Sequence, residues 1–189
     1  STQAKTLFPY TTLFRSNREA LRDLQSRLAG RLQAARSEGV SVAAWLAVQA
    51  GGRDFLLPLT QSGEIFPWTG VQPVPYTQSW FLGIANLRGA LMGVIDIAQL
   101  LGQGHARTEQ ELLECSLLAF NPALEVNAAL LVDKLLGLRA ADAFTQTEPA
   151  PERSPSFYGA VHVDGTGRRW QELQLQRLSQ TAKFLSIRA

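Results

Sequence analysis

The sequence contains few of the residues on which redox, metal and acid–base sites depend. Among its 189 residues there is one cysteine, Cys115, and there are two histidines, His105 and His162. One cysteine cannot form an internal disulfide, which fits a reducing compartment. Neither histidine has a second histidine, a cysteine or a carboxylate at ligand spacing, so the sequence predicts no metal site and no cofactor.

Familiar catalytic and phosphate-binding motifs are also absent. The sequence has no GxSxG nucleophile elbow, no GxxxxGK[ST] phosphate loop and no GxGxxG motif that opens a helix. Residues 164–167, DGTG, are rich in glycine but have no following lysine and lie in a predicted hairpin turn. Cys115 lies within an apolar segment, which is typical of an inert thiol in a core. We therefore expect no enzymatic activity.

The chain carries little net charge and no long hydrophobic run. Its formal net charge of +2 is too small to indicate a nucleic-acid partner, although the isoelectric point is near 9.0. Basic residues are not interleaved with aromatic ones on a predicted strand, as a single-strand binding surface requires. Asp96 interrupts the most hydrophobic stretch, and no run is long enough to cross a bilayer. We expect neither nucleic-acid binding nor direct membrane insertion.

The first 39 residues differ in character from the rest of the chain. Residues 6–16 read TLFPYTTLFRS, the in-frame translation of a widely used sequencing adapter, so we interpret residues 1–16 as an assembly artefact or a disordered leader. Residues 17–39 show the three- and four-residue spacing of an amphipathic helix, with an apolar stripe at Leu21, Leu24, Leu28, Leu32 and Ala35. The arginines opposite this stripe are interpreted as a solvated face, and a membrane- or partner-binding helix is the alternative.

From residue 40 onward, short apolar segments alternate with turn signals. Residues 43–48 and 55–59 flank Gly51-Gly52, which is typical of a β-hairpin. Further strands are predicted at residues 63–68, 90–97, 115–120, 128–132 and 158–163. A polar connection is predicted at residues 103–111 and a proline-rich, mobile loop at residues 145–156, whereas residues 170–187 fit either strand or helix. Many short strands with closely spaced turns indicate a barrel or a sandwich.

The most informative segment is residues 74–101, VPYTQSWFLGIANLRGALMGVIDIAQLL. Within its NLRG loop, Asn86 can hydrogen-bond to nearby backbone and Gly89 tolerates a left-handed conformation, so the loop can be sharp and fixed. Arg88 would then project a planar set of donors suited to carboxylates or backbone carbonyls. Taken alone, the segment also fits an ordinary hairpin with a solvated arginine.

This segment closely resembles the signature of CheW-like domains, in which NLRG is followed by a VIDL-type strand and a short helical turn. Residues 63–65, GEI, resemble the segment before the proline turn of that family, and residues 131–138, LVDKLLGL, resemble the VD motif in its second half. The match covers residues 43–187 in the right order. Residues 80–83, 136–139 and the tail are most similar to adaptors of type IV pilus (twitching-motility) chemosensory systems. The sequence departs from the family pattern at Ala128-Ala129, where a glycine is common before VD, and at Gln174, where an aspartate is usual.

The resemblance implies a mainly β fold of two intertwined SH3-like five-stranded β-barrels over residues 40–189, with an N-terminal helix and a short C-terminal helix. It implies a non-catalytic adaptor that couples the cytoplasmic tip of a methyl-accepting chemoreceptor to the regulatory domain of a CheA-type histidine kinase, in the cytoplasm at membrane-associated receptor arrays. The implied protein-interaction residues are Glu64, Ile65, Asn86, Arg88 and Gly89. Arg88 is the leading receptor contact, whereas Asp96 and Asp133 are expected to be structural.

Two other interpretations remain open. One is a truncated CheW-like regulatory domain of a CheA-type kinase, although the helix before residue 40 and the chain end after residue 187 favour a stand-alone adaptor. The other is a small-ligand-binding β-barrel or an enzyme without a recognised motif, since a shared fold does not by itself establish function.

Overall fold

The computed structural model describes residues 44–189. The artefact or leader predicted at residues 1–16 and the amphipathic helix predicted at residues 17–39 lie outside the described residues. The domain predicted to begin at residue 40 is therefore seen from residue 44 onward.

The described residues form eleven β-strands in two sheets. In chain order these are β1 (Trp45–Ala50), β2 (Arg53–Pro58), β3 (Ser62–Pro67), β4 (Phe81–Leu87), β5 (Ala90–Asp96), β6 (Ser116–Phe120), β7 (Ala128–Val132), β8 (Lys134–Arg139), β9 (Phe144–Glu148), β10 (Tyr158–Asp164) and β11 (Arg169–Leu173). The consecutive strands β3 to β7 build a five-stranded sheet in the order β3-β6-β7-β5-β4. The other sheet has the order β8-β1-β2-β11-β10-β9 and so takes its strands from both ends of the described chain.

Most neighbouring strands in the two sheets are antiparallel, but each sheet contains one parallel pair. β5 pairs in parallel with β7, and β2 pairs in parallel with β11. Parallel neighbours need a long crossover connection, because a tight turn can join only antiparallel strands. Both pairs therefore join strands that are not consecutive in the chain, as do the antiparallel pairs β1–β8 and β3–β6.

Four short α-helices lie among the described residues: α1 (Ile97–Leu100), α2 (Glu109–Glu114), α3 (Leu175–Ser179) and α4 (Ala182–Leu185). There are also 3₁₀ turns at Pro122–Leu124 and Ala141–Ala143. Asp96 begins α1 by accepting a hydrogen bond from the Gln99 backbone N–H, which satisfies a donor that the helix itself leaves free. Across residues 44–189, every helix is too short to reach from one side of a bilayer to the other.

The strand β7 lies between two hydrophobic cores, and all of its residues are buried. Leu130 and Val132 face the cluster shared by the two sheets, whereas Ala129 and Leu131 face the interior of the five-stranded barrel. A strand that is buried on both faces has a continuous apolar sequence instead of an alternating one. A third cluster, around Trp170, fills the interior of the six-stranded barrel.

The predicted fold class is confirmed: the chain is mainly β and contains two SH3-like barrels, one of which has six strands in place of five. The predicted hairpin at Gly51-Gly52 is present, with Ala50 opposite Arg53. The short C-terminal helix is present as α3 and α4, and the ambiguous tail is β11 followed by these helices.

Two predictions about connections were wrong. The loop predicted at residues 145–156 begins instead with β9, which hydrogen-bonds along β10 as the last strand of its sheet. The polar connection predicted at residues 103–111 ends earlier, because Thr108 and Glu111 form a capping box that begins α2. The Thr108 hydroxyl accepts from the Glu111 N–H, and the Glu111 carboxylate accepts from the Thr108 N–H at 2.8 Å.

Candidate functional site

The NLRG segment forms a two-residue β-hairpin between β4 and β5. Leu87 is opposite Ala90, which leaves Arg88 and Gly89 as the loop, and both have positive φ angles, 51° and 88°. Positive φ at both central positions defines a type I′ turn, whose twist matches that of the flanking strands. The Asn86 side-chain oxygen accepts a hydrogen bond from the Gly89 N–H at 2.8 Å. The turn therefore has one fixed shape, as the sequence predicts.

The Arg88 side chain is exposed but restrained. Its guanidinium forms an ion pair with Glu64 of β3 and lies 5.9 Å from the centre of the Phe66 ring. The Arg88 side chain is 75% exposed and that of Glu64 is 45% exposed, so both remain accessible to a partner. The structure thus brings together two of the predicted site residues, and Arg88 has a defined direction that a freely solvated arginine would lack.

Exposed aliphatic side chains surround this turn. Ile65, beside Glu64 on β3, is exposed. On the hairpin, Ile84 is also exposed, and Leu91, directly opposite Asn86, is 66% exposed. Sequence reasoning missed Ile84 and Leu91, although the alternating burial of β4 follows from the period of a half-buried strand. An arginine among exposed aliphatic side chains suits contact with another protein.

The unpaired edge of β4 is partly covered next to this surface. Gln72 forms an antiparallel bridge with Ile84, and the two backbone hydrogen bonds measure 2.8 and 2.9 Å. Uncovered strand edges favour uncontrolled pairing with other chains. At Ile84 the backbone of this edge is therefore already paired with Gln72.

Arg107 is a second charged residue of the site region that sequence reasoning missed. Its side chain is only 10% exposed, and its Nε lies 2.5 Å from Oδ2 of Asp96, which is fully buried. Its Nη2 lies 2.6 Å from Oδ1 of Asp133. Burial opposes the charge of the guanidinium, but the hydrogen bonds and charges of Asp96 and Asp133 outweigh this and raise the pKa of Arg107 above its usual value. An aspartate at the end of each of two apolar strands was a usable signal, since charges that become buried need partners.

The remaining titratable residues that the sequence singled out do not form a site. Cys115 is buried inside the five-stranded barrel, where burial raises the pKa of its thiol, as expected for an inert core residue. His162 is buried against Trp45 and Phe144, with ring centres 4.9 and 5.0 Å away. His105 lies on the surface next to Glu111. Residues 44–189 contain no group of three or more side chains that could hold a metal ion.

Comparisons with a family model, with known sequences and with a solved structure all find similarity to CheW-like proteins. A model of the CheW-like domain matches residues 44–183. PilI of Pseudomonas aeruginosa is 28% identical over 167 residues, which cover 85% of this chain and 88% of that protein. The chemotaxis protein CheW of Rhizobium meliloti is 33% identical over 57 residues, which cover 30% of this chain and 37% of that protein. The crystal structure of the scaffolding protein TtCheW from Thermoanaerobacter tengcongensis has a TM-score of 0.62 at 18% identity, covering 75% of this chain and 94% of that one, and so shares the fold.

Proposed function

The chain belongs to the CheW-like domain family, and from that membership we propose that it is a non-catalytic adaptor coupling a chemoreceptor to a CheA-type histidine kinase. Its similarity to PilI supports a place in a chemosensory system that controls twitching motility. The chain binds the regulatory domain of the kinase and the cytoplasmic tip of a methyl-accepting chemoreceptor, on the cytoplasmic side of membrane-associated receptor arrays. Such an adaptor acts by raising the effective concentration of one partner near the other.

The observation that carries this proposal is the restrained arginine at the NLRG turn. Arg88 is exposed, is held by Glu64, and lies on a hairpin whose outer face presents Ile84 and Leu91. Arginine is enriched among the few residues that dominate binding energy at protein interfaces. A side chain that is already oriented also loses less conformational entropy when a partner binds. We therefore assign receptor contact to Arg88, with Asn86, Gly89 and Glu64 holding it in place and Ile65 at the border of the same surface.

Calorimetric titration of the full chain against two fragments from the same genome tests this assignment. One fragment is the receptor tip and the other is the regulatory region of the kinase. We expect saturable binding to both, and we expect Arg88→Ala to weaken receptor binding by about 30-fold, which corresponds to about 2 kcal/mol. Kinase binding by the same variant should be unchanged.

The matched control for this titration is Arg153→Ala, because Arg153 is also exposed and also has a positive φ, 63°, but lies in another loop. This variant should bind both fragments as the unmodified chain does. If the folded protein fails to bind one or both of the fragments, the adaptor role is contradicted. An equal loss in both titrations for Arg88→Ala contradicts the assignment of Arg88 to the receptor.

A further inference from the structure

Arg107 and its two carboxylates lie where the two barrels meet. Asp133 follows β7 of the five-stranded barrel, and its Oδ2 accepts a hydrogen bond at 2.8 Å from the N–H of Gly51, in the turn between β1 and β2 of the six-stranded barrel. The backbone N–H of Asp133 donates to the carbonyl oxygen of Gln49, also at 2.8 Å. Asp133 is therefore attached to the six-stranded barrel at two points.

Gly51 also packs directly against the segment that follows β5. A Cβ at Gly51 would lie 3.1 Å from Cβ of Ala98 in α1 and 3.2 Å from the carbonyl oxygen of Gln103, and the φ of Gly51 is +56°. Both the space and the backbone conformation favour glycine here. The β1–β2 turn thus packs closely against α1 and Gln103, which follow β5. A movement of the turn must therefore displace this segment, and the reverse also holds.

Asp96 holds the opposite end of this connection. It is the last residue of β5, the strand that begins directly after the NLRG turn, and it begins α1 by accepting from Gln99. Arg107 donates through Nε to Oδ2 of Asp96 and through Nη2 to its Oδ1 at 3.3 Å, and the same Nη2 forms an ion pair with Oδ1 of Asp133. The planar guanidinium offers several donors in fixed directions, whereas a lysine has a single charged nitrogen and cannot reproduce both contacts.

We propose that Arg107 is a positioning residue that fixes β5 relative to the β1–β2 turn, so that a change at the NLRG turn reaches the six-stranded barrel. The proposal rests on the proposed function only for the identity of the partner at the NLRG turn. The connection itself is made by Gly51, Asp133, Arg107 and Asp96 within this chain. It provides a physical route by which a change at the NLRG turn reaches the six-stranded barrel, as an adaptor that transmits a conformational bias requires.

Backbone amide exchange in the full chain, followed by NMR without any partner, is the first test. Arg107→Lys keeps the charge but should lose the double contact, so exchange at Gly51 and Gln99 should rise about tenfold while amides of β7 change little. Asp133→Asn keeps the side-chain shape and should raise exchange at Gly51 but not at Gln99. The matched control is Arg169→Lys, since Arg169 is exposed and pairs with Glu148 on the surface.

The possible results of this comparison separate positioning from general stabilisation. A rise confined to Gly51 and Gln99 supports the proposal. An equal rise in amide exchange throughout the domain shows that Arg107 only stabilises the fold. Unchanged exchange at Gly51 shows that Arg107 does not restrain the β1–β2 turn. Either result overturns the proposal.

A second measurement adds the receptor-tip fragment at saturation. In the unmodified chain the fragment should change exchange at Gly51 by about fivefold, whereas in Arg107→Lys it should bind but leave Gly51 unchanged. If the fragment binds the unmodified chain without affecting Gly51, the coupling is wrong and the adaptor role stands. If the fragment does not bind, the adaptor role is wrong and the partner-free comparison alone decides the role of Arg107.

Discussion

Glu64 and Arg88 join the two edges of the five-stranded sheet. The strand order β3-β6-β7-β5-β4 places β3 and β4 at opposite ends of the sheet, yet Glu64 of β3 forms an ion pair with Arg88 in the turn after β4. Because both side chains are exposed, water and salt screen the pair, and it adds little to stability. Its physical effect is to fix the direction of the Arg88 guanidinium.

If Glu64 acts by orienting Arg88, Glu64→Gln should weaken receptor binding by about three- to tenfold and change the free energy of unfolding by less than about 0.5 kcal/mol. Calorimetry and urea unfolding measure the two effects. Glu148→Gln is the matched control, because Glu148 also forms an exposed ion pair with an arginine, Arg169. A loss as large as that of Arg88→Ala would mean that Glu64 contacts the receptor itself.

Gly89→Ala should destabilise the protein by about 1–2 kcal/mol, because Gly89 has φ +88° and an L-residue is strained there. No heavy atom lies within 4 Å of the position that a Cβ would take, so the cost is conformational and not steric. Gly165→Ala is the control, since Gly165 has no such φ and a Cβ there would only approach Thr145 at 4.0 Å. Equal urea midpoints for the two variants would contradict the turn geometry.

Removing the cation between Asp96 and Asp133 should be costly. Arg107→Met leaves the buried Asp96 carboxylate without its charged partner, and we expect a loss of about 3–5 kcal/mol in the free energy of unfolding at neutral pH. The double variant Arg107→Met/Asp96→Asn should lose less than the sum of the two single variants, since neither buried charge remains there. Additive losses, measured by urea unfolding, would show that the two residues do not act as a pair.

The capping box of α2 should make stability depend on pH. The backbone N–H of Thr108, the His105 side chain and the Thr108 hydroxyl lower the pKa of Glu111 from its ordinary 4.5 to about 2. A carboxyl whose pKa is lowered in the folded state stabilises it above the unfolded pKa and loses that effect as pH falls through the folded pKa.

The melting temperature of the unmodified chain should therefore exceed that of Glu111→Gln above about pH 4.5, and the difference should shrink between about pH 4.5 and 2. Glu109→Gln, in the same helical turn, is the control for removal of a carboxylate near the start of α2. A difference between the unmodified chain and Glu111→Gln that stays constant over this pH range would show that the Thr108–Glu111 bonds do not form in solution.

Cys115 should react slowly with thiol reagents. Burial raises the pKa of its thiol, the Arg107 charge lowers it in part, and the Sγ–H donates to the carbonyl oxygen of Glu111. We expect an aromatic disulfide reagent to modify the native protein about 100-fold more slowly than the urea-unfolded protein. Because the chain has one cysteine, the absorbance change reports this residue alone. Equal rates would show that the barrel interior opens readily.

Much of the fold could be predicted because the strands of the core carry strong local signals. The apolar run of β7 and the glycines between β1 and β2 indicated their elements directly. The family resemblance, based on NLRG, the VIDL-type strand and the later VD motif, is confirmed by the match over residues 44–183. β9 was missed because its sequence, FTQTE, is polar and largely exposed, and a following proline-rich segment resembles a loop.

The candidate site was predicted less completely, since its contacts join residues that are distant in the chain. The expectation that Asp96 and Asp133 are structural is supported by their hydrogen bonds to Gln99 and Gly51. Their common partner, Arg107, lies in a polar segment with no periodic pattern, and only the folded topology brings it between them. The ion pair of Glu64 with Arg88 could not be predicted from the sequence either. It forms because the five-stranded sheet curls until its two edge strands, β3 and β4, come close together.

The strand order has a consequence for synthesis on the ribosome. When residue 132 has been made, all five strands of the β3-to-β7 barrel exist, whereas the other barrel has only β1 and β2 of its six. The first barrel can therefore form on the nascent chain before β11 has been synthesised. At that stage Phe55 and Leu57 of the β1–β2 hairpin are not yet covered by residues that are made later. Exposed apolar hairpins favour aggregation, so limited proteolysis of chains arrested after β7 should cut this hairpin and spare the finished barrel.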